Sequence, residues 1–194
     1  MSFPRLVRTA SGSLPERSDD ELMALAQAGV REAFAVLVER HAARLVHACS
    51  ALVHDSGAGA ELAQETWVTV WAQRSRYRPE GRFVVWLITA ARNRCRNYVR
   101  RHGVVRRHAQ QAATEGAEPS PDQIDRLLLE ERRRRVLDAL SRLPERMREA
   151  LVLRYAEDLR YDEMAEVLRT GESTLRSRVH HGLRLLRNIL EKNR

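Results

Sequence analysis

Between Tyr161 and His181 the chain carries two apolar-periodic segments split by a polar break. Tyr161-Asp162-Glu163-Met164-Ala165-Glu166-Val167-Leu168 comes first, and Thr174-Leu175-Arg176-Ser177-Arg178-Val179-His180-His181 follows. This reads as a helix-turn-helix with a basic second helix, the unit that lays its second helix in a DNA groove. At about 100° per residue, Leu175, Val179, Gly182, Leu186, Ile189 and Leu190 fall on one side of that helix. Arg176, Ser177, His180, His181, Arg184 and Arg187 fall on the other. The apolar side is expected to pack on the preceding helices, which turns an arginine, serine and histidine face outward. Arginine can engage O6 and N7 of one guanine together, and the remaining groups reach bases or phosphates.

The balance of charge points the same way. Across 194 residues the net charge is +8 and the isoelectric point is about 10.6, which favours a polyanionic partner, nucleic acid before an acidic membrane. Lys192 is the sole lysine; the rest of the positive charge is arginine, whose flat fork suits phosphate and guanine. Codon usage in a GC-rich genome accounts for most of that bias. Aromatic residues make up 5% and β-branched runs are scarce, so an all-α protein is expected. Cys49 and Cys95 are the two cysteines. Neither has zinc-site spacing, so no metal, no cofactor and no disulfide framework is expected. Both read as reduced, buried thiols of a cytoplasmic protein. No apolar run approaches the roughly 18 residues of a membrane span, and residues 1–17 lack the apolar core of a secretion signal.

The chain divides into two helical units. Residues 1–17 are expected to be a disordered tail. Ser18 and Glu21 form a capping box at the start of a short helix that stops at Gly29. Phe34, Leu37, Val38, His41, Leu45, Cys49, Leu52 and Val53 then recur at three- and four-residue steps, the mark of a long amphipathic helix. Asp55 to Gly59 reads as a turn. Two further helices are expected over 60–74 and 82–101, completing a four-helix unit over 18–102. Residues 103–124, with Gly, Pro and Ser and no apolar period, read as a flexible linker. A second unit over 125–194 starts with a helix at 125–141. Pro144 is expected at the first position of the next helix, and the helix-turn-helix closes the unit. Control by a fused C-terminal sensor is not expected.

Two more stretches carry functional signals. From Gly81 to Thr114 there are arginines at 82, 92, 94, 96, 100, 101, 106 and 107 and no Asp or Glu. Tyr77, Phe83, Trp86 and Tyr98 are interleaved. Charge that tracks a backbone, with rings that stack on unpaired bases, is what single-stranded DNA binding needs. Phe83 and Trp86 also suit a core. On the third helix, Ala63, Trp67, Val70 and Trp71 lie on one side, and Glu61, Gln64, Glu65 and Val68 on the other. An acidic outward patch on a basic protein repels phosphate, so it points to a protein partner or to a plain solvated face. His41, His47 and His54 recur at near-helical spacing but have no carboxylate partners in sequence, and they read as ordinary helix residues.

Taken in order, these motifs resemble a known family. Leu62-Ala63-Gln64-Glu65-Thr66-Trp67, Tyr77-Arg78, Trp86-Leu87 and Ala91-Arg92-Asn93 are similar to region 2 of a bacterial RNA polymerase sigma factor of the sigma-70 family. Leu143-Pro144, Leu151, Tyr161 to Ala165 and Thr174 to Arg178 are similar to region 4. Two regions joined by a linker, with no domain between them, resemble the extracytoplasmic-function (ECF) type. The resemblance implies that Glu61, Gln64 and Glu65 bind core RNA polymerase. It implies that Tyr77, Trp86, Arg92, Asn93, Arg96 and Asn97 meet the melted −10 promoter element. It implies that Thr174, Arg176, Ser177, His180, His181 and Arg184 meet the −35 duplex. An anti-sigma protein is the implied regulator.

The chain departs from the family pattern in places. Ala58, Gly59 and Ala60 stand where a denser acidic run is usual, Ser173-Thr174-Leu175 replaces a Gly-Thr-Val turn, and Arg160 replaces a serine N-cap. A conventional helix-turn-helix regulator that reads a palindrome as a dimer is the alternative, but it assigns no role to the acidic patch. An enzyme such as a recombinase would need a nucleophile with clustered partners, and no such constellation is present in the sequence.

Overall fold

The computed structural model describes residues 13–102 and 121–192. Helices α1 (Asp19–Gln27), α2 (Arg31–Val53), α3 (Ser56–Ala72) and α4 (Phe83–His102) form the N-terminal unit. Helices α5 (Pro121–Ser141), α6 (Glu145–Leu151), α7 (Tyr161–Leu168) and α8 (Glu172–Lys192) form the C-terminal unit. Among the described residues there is no strand.

The start of α1 follows from its capping box. Ser18 Oγ accepts from the Glu21 N–H at 3.3 Å, and Glu21 Oε2 accepts from the Ser18 N–H at 2.9 Å. Gly29, at φ +97°, lets the Val30 N–H reach back to the Leu25 carbonyl at 3.0 Å, which ends the helix. The supposed tail is ordered from Ser13: Leu14–Glu16 makes a 3-10 turn, and Arg40 Nη2 donates to the carbonyls of Pro15 (3.1 Å) and Arg17 (3.0 Å). Residues 1–12 lie outside the described residues.

The stretch Asp55 to Gly59, read as a turn, is the first turn of α3. Asp55 is its N-cap, accepting from the Ala58 N–H at 3.0 Å. The two glycines that suggested a loop are helical. Gly59 is glycine because α2 crosses so closely that a Cβ there would stand 2.3 Å from Ser50 Oγ and 2.5 Å from Ser50 Cα. The N-terminal core gathers Leu22, Met23, Leu37, Leu45, Cys49, Val70, Phe83, Leu87 and Ile88. Phe34 seals one edge, edge-on to Trp67 at 5.7 Å. Gln27 ties the loop after α3 to α1, donating to the carbonyls of Arg74 (2.7 Å) and Tyr77 (2.8 Å).

In the C-terminal unit α5 begins at Pro121, four residues before the expected helix start; the rest of the supposed linker, 103–120, lies outside the described residues. Pro144 is the N-cap of α6 rather than its first residue. A single π turn, Val152–Ala156, follows α6, with the Glu157 N–H on the Val152 carbonyl at 3.1 Å. Arg160 caps α7 and, having no acceptor atom, satisfies no helix N–H. Glu163 Oε2 accepts from the Arg160 N–H at 2.7 Å, so half of a capping box remains. Leu143, Leu153, Leu159, Met164, Val167, Leu175 and Val179 form the core. Gly182 seats α8 on α6, since a Cβ there would lie 3.2 Å from Leu151 Cδ1.

The two units touch. The π turn packs on α2, and α7 packs on α4.

Candidate nucleic-acid and polymerase interfaces

The face of α8 is arranged as its periodicity predicts. Leu175, Val179 and Gly182 are buried, whereas Thr174, Arg176, Ser177, His180, His181, Arg184 and Arg187 are exposed. Two of these groups are pre-positioned. The Arg176 guanidinium lies 4.2 Å above the Tyr161 ring, and its Nη2 donates to Glu172 Oε2 at 3.2 Å. Stacking on a ring of α7 and pairing within α8 restrict the rotamers of an arginine near the start of the second helix. His181 Nδ1 lies 3.0 Å from the Ser177 carbonyl and 3.2 Å from Ser177 Oγ. Leu183 and Leu185 are also exposed, at the margin of the polar face.

The α3 face likewise follows its spacing. Ala63, Trp67 and Val70 are buried. Glu61, Gln64, Glu65 and Val68 are exposed, with Val68 at 70% the most exposed large apolar side chain of the described residues. Glu65 is ion-paired with Arg94 of α4. Val68 thus stands exposed among Glu61, Gln64 and Glu65.

Around α4 the structure shows burial and pairing that the sequence did not. Tyr77, expected to stack on an unpaired base, is 5% exposed and belongs to the core. Its ring meets Phe83 at 5.9 Å and Trp86 at 5.2 Å, and its hydroxyl donates to Asp20. Burial and the Asp20 carboxylate push the phenol well above its usual pKa. A ring reached from two sides by apolar neighbours, with its one polar atom satisfied, is a packing residue. Trp86 is half-buried in the same cluster. Asn93 and Asn97 are exposed on α4.

Arg92, by contrast, is occupied. Its Nε and Nη2 donate to Oε1 and Oε2 of Glu149 on α6, at 2.9 and 3.1 Å, with both side chains nearly buried. Arg96 lies 3.9 Å from Glu145, also on α6. Two more pairs cross between the units: Arg82 of the loop before α4 with Glu166 of α7, and Arg44 of α2 with Glu157 after the π turn (3.1 Å). In all four the arginine is on the N-terminal unit and the glutamate on the C-terminal unit. Local sequence patterns carry no sign of these pairs, because their partners are about 50 to 110 positions apart. Glu157 is 1% exposed. Burial pushes its carboxyl up to about 7, against the pull of Arg44.

Histidines and cysteines behave as structure. His41, expected without a carboxylate partner, has one: its Nε2 lies 2.8 Å from Asp19 Oδ2. Burial raises the Asp19 carboxyl, but hydrogen bonds from His41 and Arg40 hold it below the usual range. Burial lowers His54, the C-cap of α2, to about 4. Cys49 and Cys95 are buried side by side; the hydrogen bond between them and their burial push the Cys49 thiol up, which makes it a poor nucleophile. No group of three or more His, Cys, Asp or Glu among the described residues is placed to hold a metal ion, and no described helix is long and apolar enough to cross a membrane.

Comparison with known proteins bears on the same two units. The family model for Sigma-70 region 2 matches residues 37–104, and that for Sigma-70 region 4 matches residues 133–186. The chain is similar to the ECF RNA polymerase sigma factor SigK of Mycobacterium sp. (strain JLS), 31% identical over 161 residues that span 82% of this chain and 83% of that protein. It is similar to the RNA polymerase sigma factor CarQ of Myxococcus xanthus, 34% identical over 84% of this chain and 91% of that protein. Its fold matches that of CnrH, solved in complex with the cytosolic domain of CnrY, with a TM-score of 0.70, 24% identity and coverage of 91% of this chain and 99% of that one. With both regions in their expected order and relatives matched over most of their length, the chain belongs to the ECF RNA polymerase sigma factors of the sigma-70 family.

Proposed function

We propose that this sigma factor binds core RNA polymerase through α3, reads the −35 duplex with α8, and holds the melted −10 strand against α4. The observation that carries the duplex reading is the continuous exposed row Arg176, Ser177, His180, His181 and Arg184 on a helix seated by Leu175, Val179 and Gly182. The row begins at the end of the helix where a recognition helix meets base edges. For the −10 element the candidates are Asn93 and Asn97, exposed on α4, with Arg92, Arg96 and Trp86 beside them. Tyr77 supports Trp86 from beneath instead of touching DNA. Glu61, Gln64, Glu65 and Val68 are the proposed polymerase contacts. The chain supplies binding and strand capture, and the polymerase supplies the chemistry. An anti-sigma protein and a cytoplasmic location follow from the family assignment as further proposals.

The polymerase contact is tested by Gln64→Ala with Glu65→Ala. Both side chains are exposed and the Glu65–Arg94 pair lies at the surface, so loss of the pair changes stability by no more than about 1 kcal/mol. Pull-down with core polymerase should recover much less of the double variant than of wild type, at an unchanged melting temperature. Undiminished recovery would remove α3 from the interface.

A further inference from the structure

We infer that His181 is a specificity-determining residue whose preferred base changes with its protonation: the neutral ring selects adenine at one −35 position, and the charged ring selects guanine there. The inference rests on the proposal that α8 reads the −35 duplex.

The tautomer follows from the helix itself. His181 Nδ1 lies 3.0 Å from the Ser177 carbonyl, one turn back on α8. A carbonyl oxygen only accepts, so Nδ1 carries the hydrogen and donates it. In the neutral ring Nε2 is then left as an acceptor. Ser177 Oγ stands 3.2 Å from the same Nδ1. With Nδ1 already the donor, Oγ accepts from it, and the hydroxyl hydrogen is left to donate elsewhere. Ser177 and His181 are both exposed, on the face that also carries Arg184. Together they offer one donor and one acceptor to the groove.

Adenine presents the complement, since its N7 accepts and its N6 donates. Cytosine gives a donor without the neighbouring acceptor, and thymine and guanine give acceptors alone. Protonation of the ring changes one member of the pair. Nε2 becomes a donor while the Nδ1 bonds stay as they are, so nothing in the helix has to move. Two donors match N7 and O6 of guanine.

Imidazole is the side chain whose charge ordinarily changes between about pH 5 and pH 8. The charged groups nearest in register are Arg178 and Arg184, three residues to either side on α8. The rings of His180 and His181 meet edge to face at 5.7 Å. Helices α5, α6 and α7 pack on α8. Of these, α7 turns Tyr161 to Arg176, and α6 turns Met147 and Leu151 to Gly182. Among the described residues the histidine–carboxylate pair is His41 with Asp19, and no carboxylate of α5, α6 or α7 pairs with either ring of α8.

The test uses the full chain assembled with core RNA polymerase. A pool of duplexes with a randomised core is selected by binding and sequenced at about pH 8 and about pH 5.5. Wild type should enrich adenine over guanine at one position at the higher pH, and that ratio should fall about tenfold at the lower. His181→Arg, a donor at both pH values, should select guanine at both. His181→Gln, which donates and accepts, should select adenine at both. His180→Ala should keep the wild-type switch. All three changes are at exposed positions, and melting temperatures should not move. A gain at low pH that is equal for all sequences and vanishes in His181→Gln would make His181 a phosphate contact and overturn the inference. A switch that survives His181→Gln, or that His180→Ala alone removes, would overturn it by moving the effect to another residue. The same selected sequence at both pH values, still relaxed at one position by Arg176→Ala, would overturn the inference and leave the −35 reading standing. Selection that ignores both Arg176→Ala and His181→Gln would remove the −35 reading, and the inference with it.

Discussion

Arg176 is the residue on which duplex specificity is expected to turn. Its guanidinium is stacked on Tyr161 and paired with Glu172, so less rotamer freedom is left to lose on meeting a base. Arg176→Ala should cost about 1–3 kcal/mol of binding and relax preference at one −35 position. Arg187→Ala, about three turns further along the exposed face, should weaken all sequences alike and lower the salt slope. Anisotropy against single-base −35 variants at two salt concentrations separates them. A lower melting temperature for Arg176→Ala with unchanged base preference would make the Tyr161 stack a packing contact only. The partner of Arg176 on α7 was not legible in the sequence: both residues were visible in their motifs, but the stack depends on how two helices cross.

Among the elements, α3 is the sharpest test of reading backbone from composition. Two glycines after an aspartate suggested a turn, yet the helix begins at Ser56. The sequence holds the N-cap Asp55, but it does not show that α2 lies close enough to forbid a Cβ at residue 59. Gly59→Ala should therefore destabilise despite alanine's better helix propensity, by about 1–3 kcal/mol for overpacking against backbone, or about 2–4 °C of melting temperature per kcal/mol. Gly57→Ala is the control: its Cβ would meet only the Asp55 carboxylate, at 3.3 Å, and the melting temperature should hold or rise. Equal losses would point to helix ends and not to the crossing. Where apolar spacing governs, on α2 and α8, the buried and exposed faces were legible. Where a residue's surroundings depend on a neighbouring helix, as with Tyr77, spacing alone does not show its burial. Aromatics beside arginines look the same whether the ring faces a base or the core.

At the scale of the molecule, the charge buried between the units makes stability depend on pH. Glu157 has a carboxyl raised to about 7, so below neutrality the fold holds a proton that the unfolded chain releases near 4.5. Its stabilising contribution is complete below about pH 4.5 and is lost as pH rises through about 7. Glu157→Gln keeps the neutral shape at every pH. Relative to that variant, wild type should lose on the order of 2–3 kcal/mol between pH 5 and pH 8, at about 1.4 kcal/mol per pH unit. His54, held neutral by burial to about 4, acts in the opposite sense between about 4 and 6.5, but it is common to both proteins and cancels in the difference. Thermal unfolding of the two across that range is the measurement. Parallel curves would mean that Arg44 fully compensates the buried charge. The two-unit, all-helical plan was legible from caps, periodicity and the polar break. The docking of the units was not, since it is written in pairs of residues about 50 to 110 positions apart.

Gly182 ties two of these scales together. By letting α8 rest directly on Leu151, it joins the helix proposed to read duplex DNA to the short helix whose glutamates grip α4. The two helices meet at this close contact, and a bulkier side chain at residue 182 would push α8 off Leu151 and shift Arg176 relative to Glu145 and Glu149.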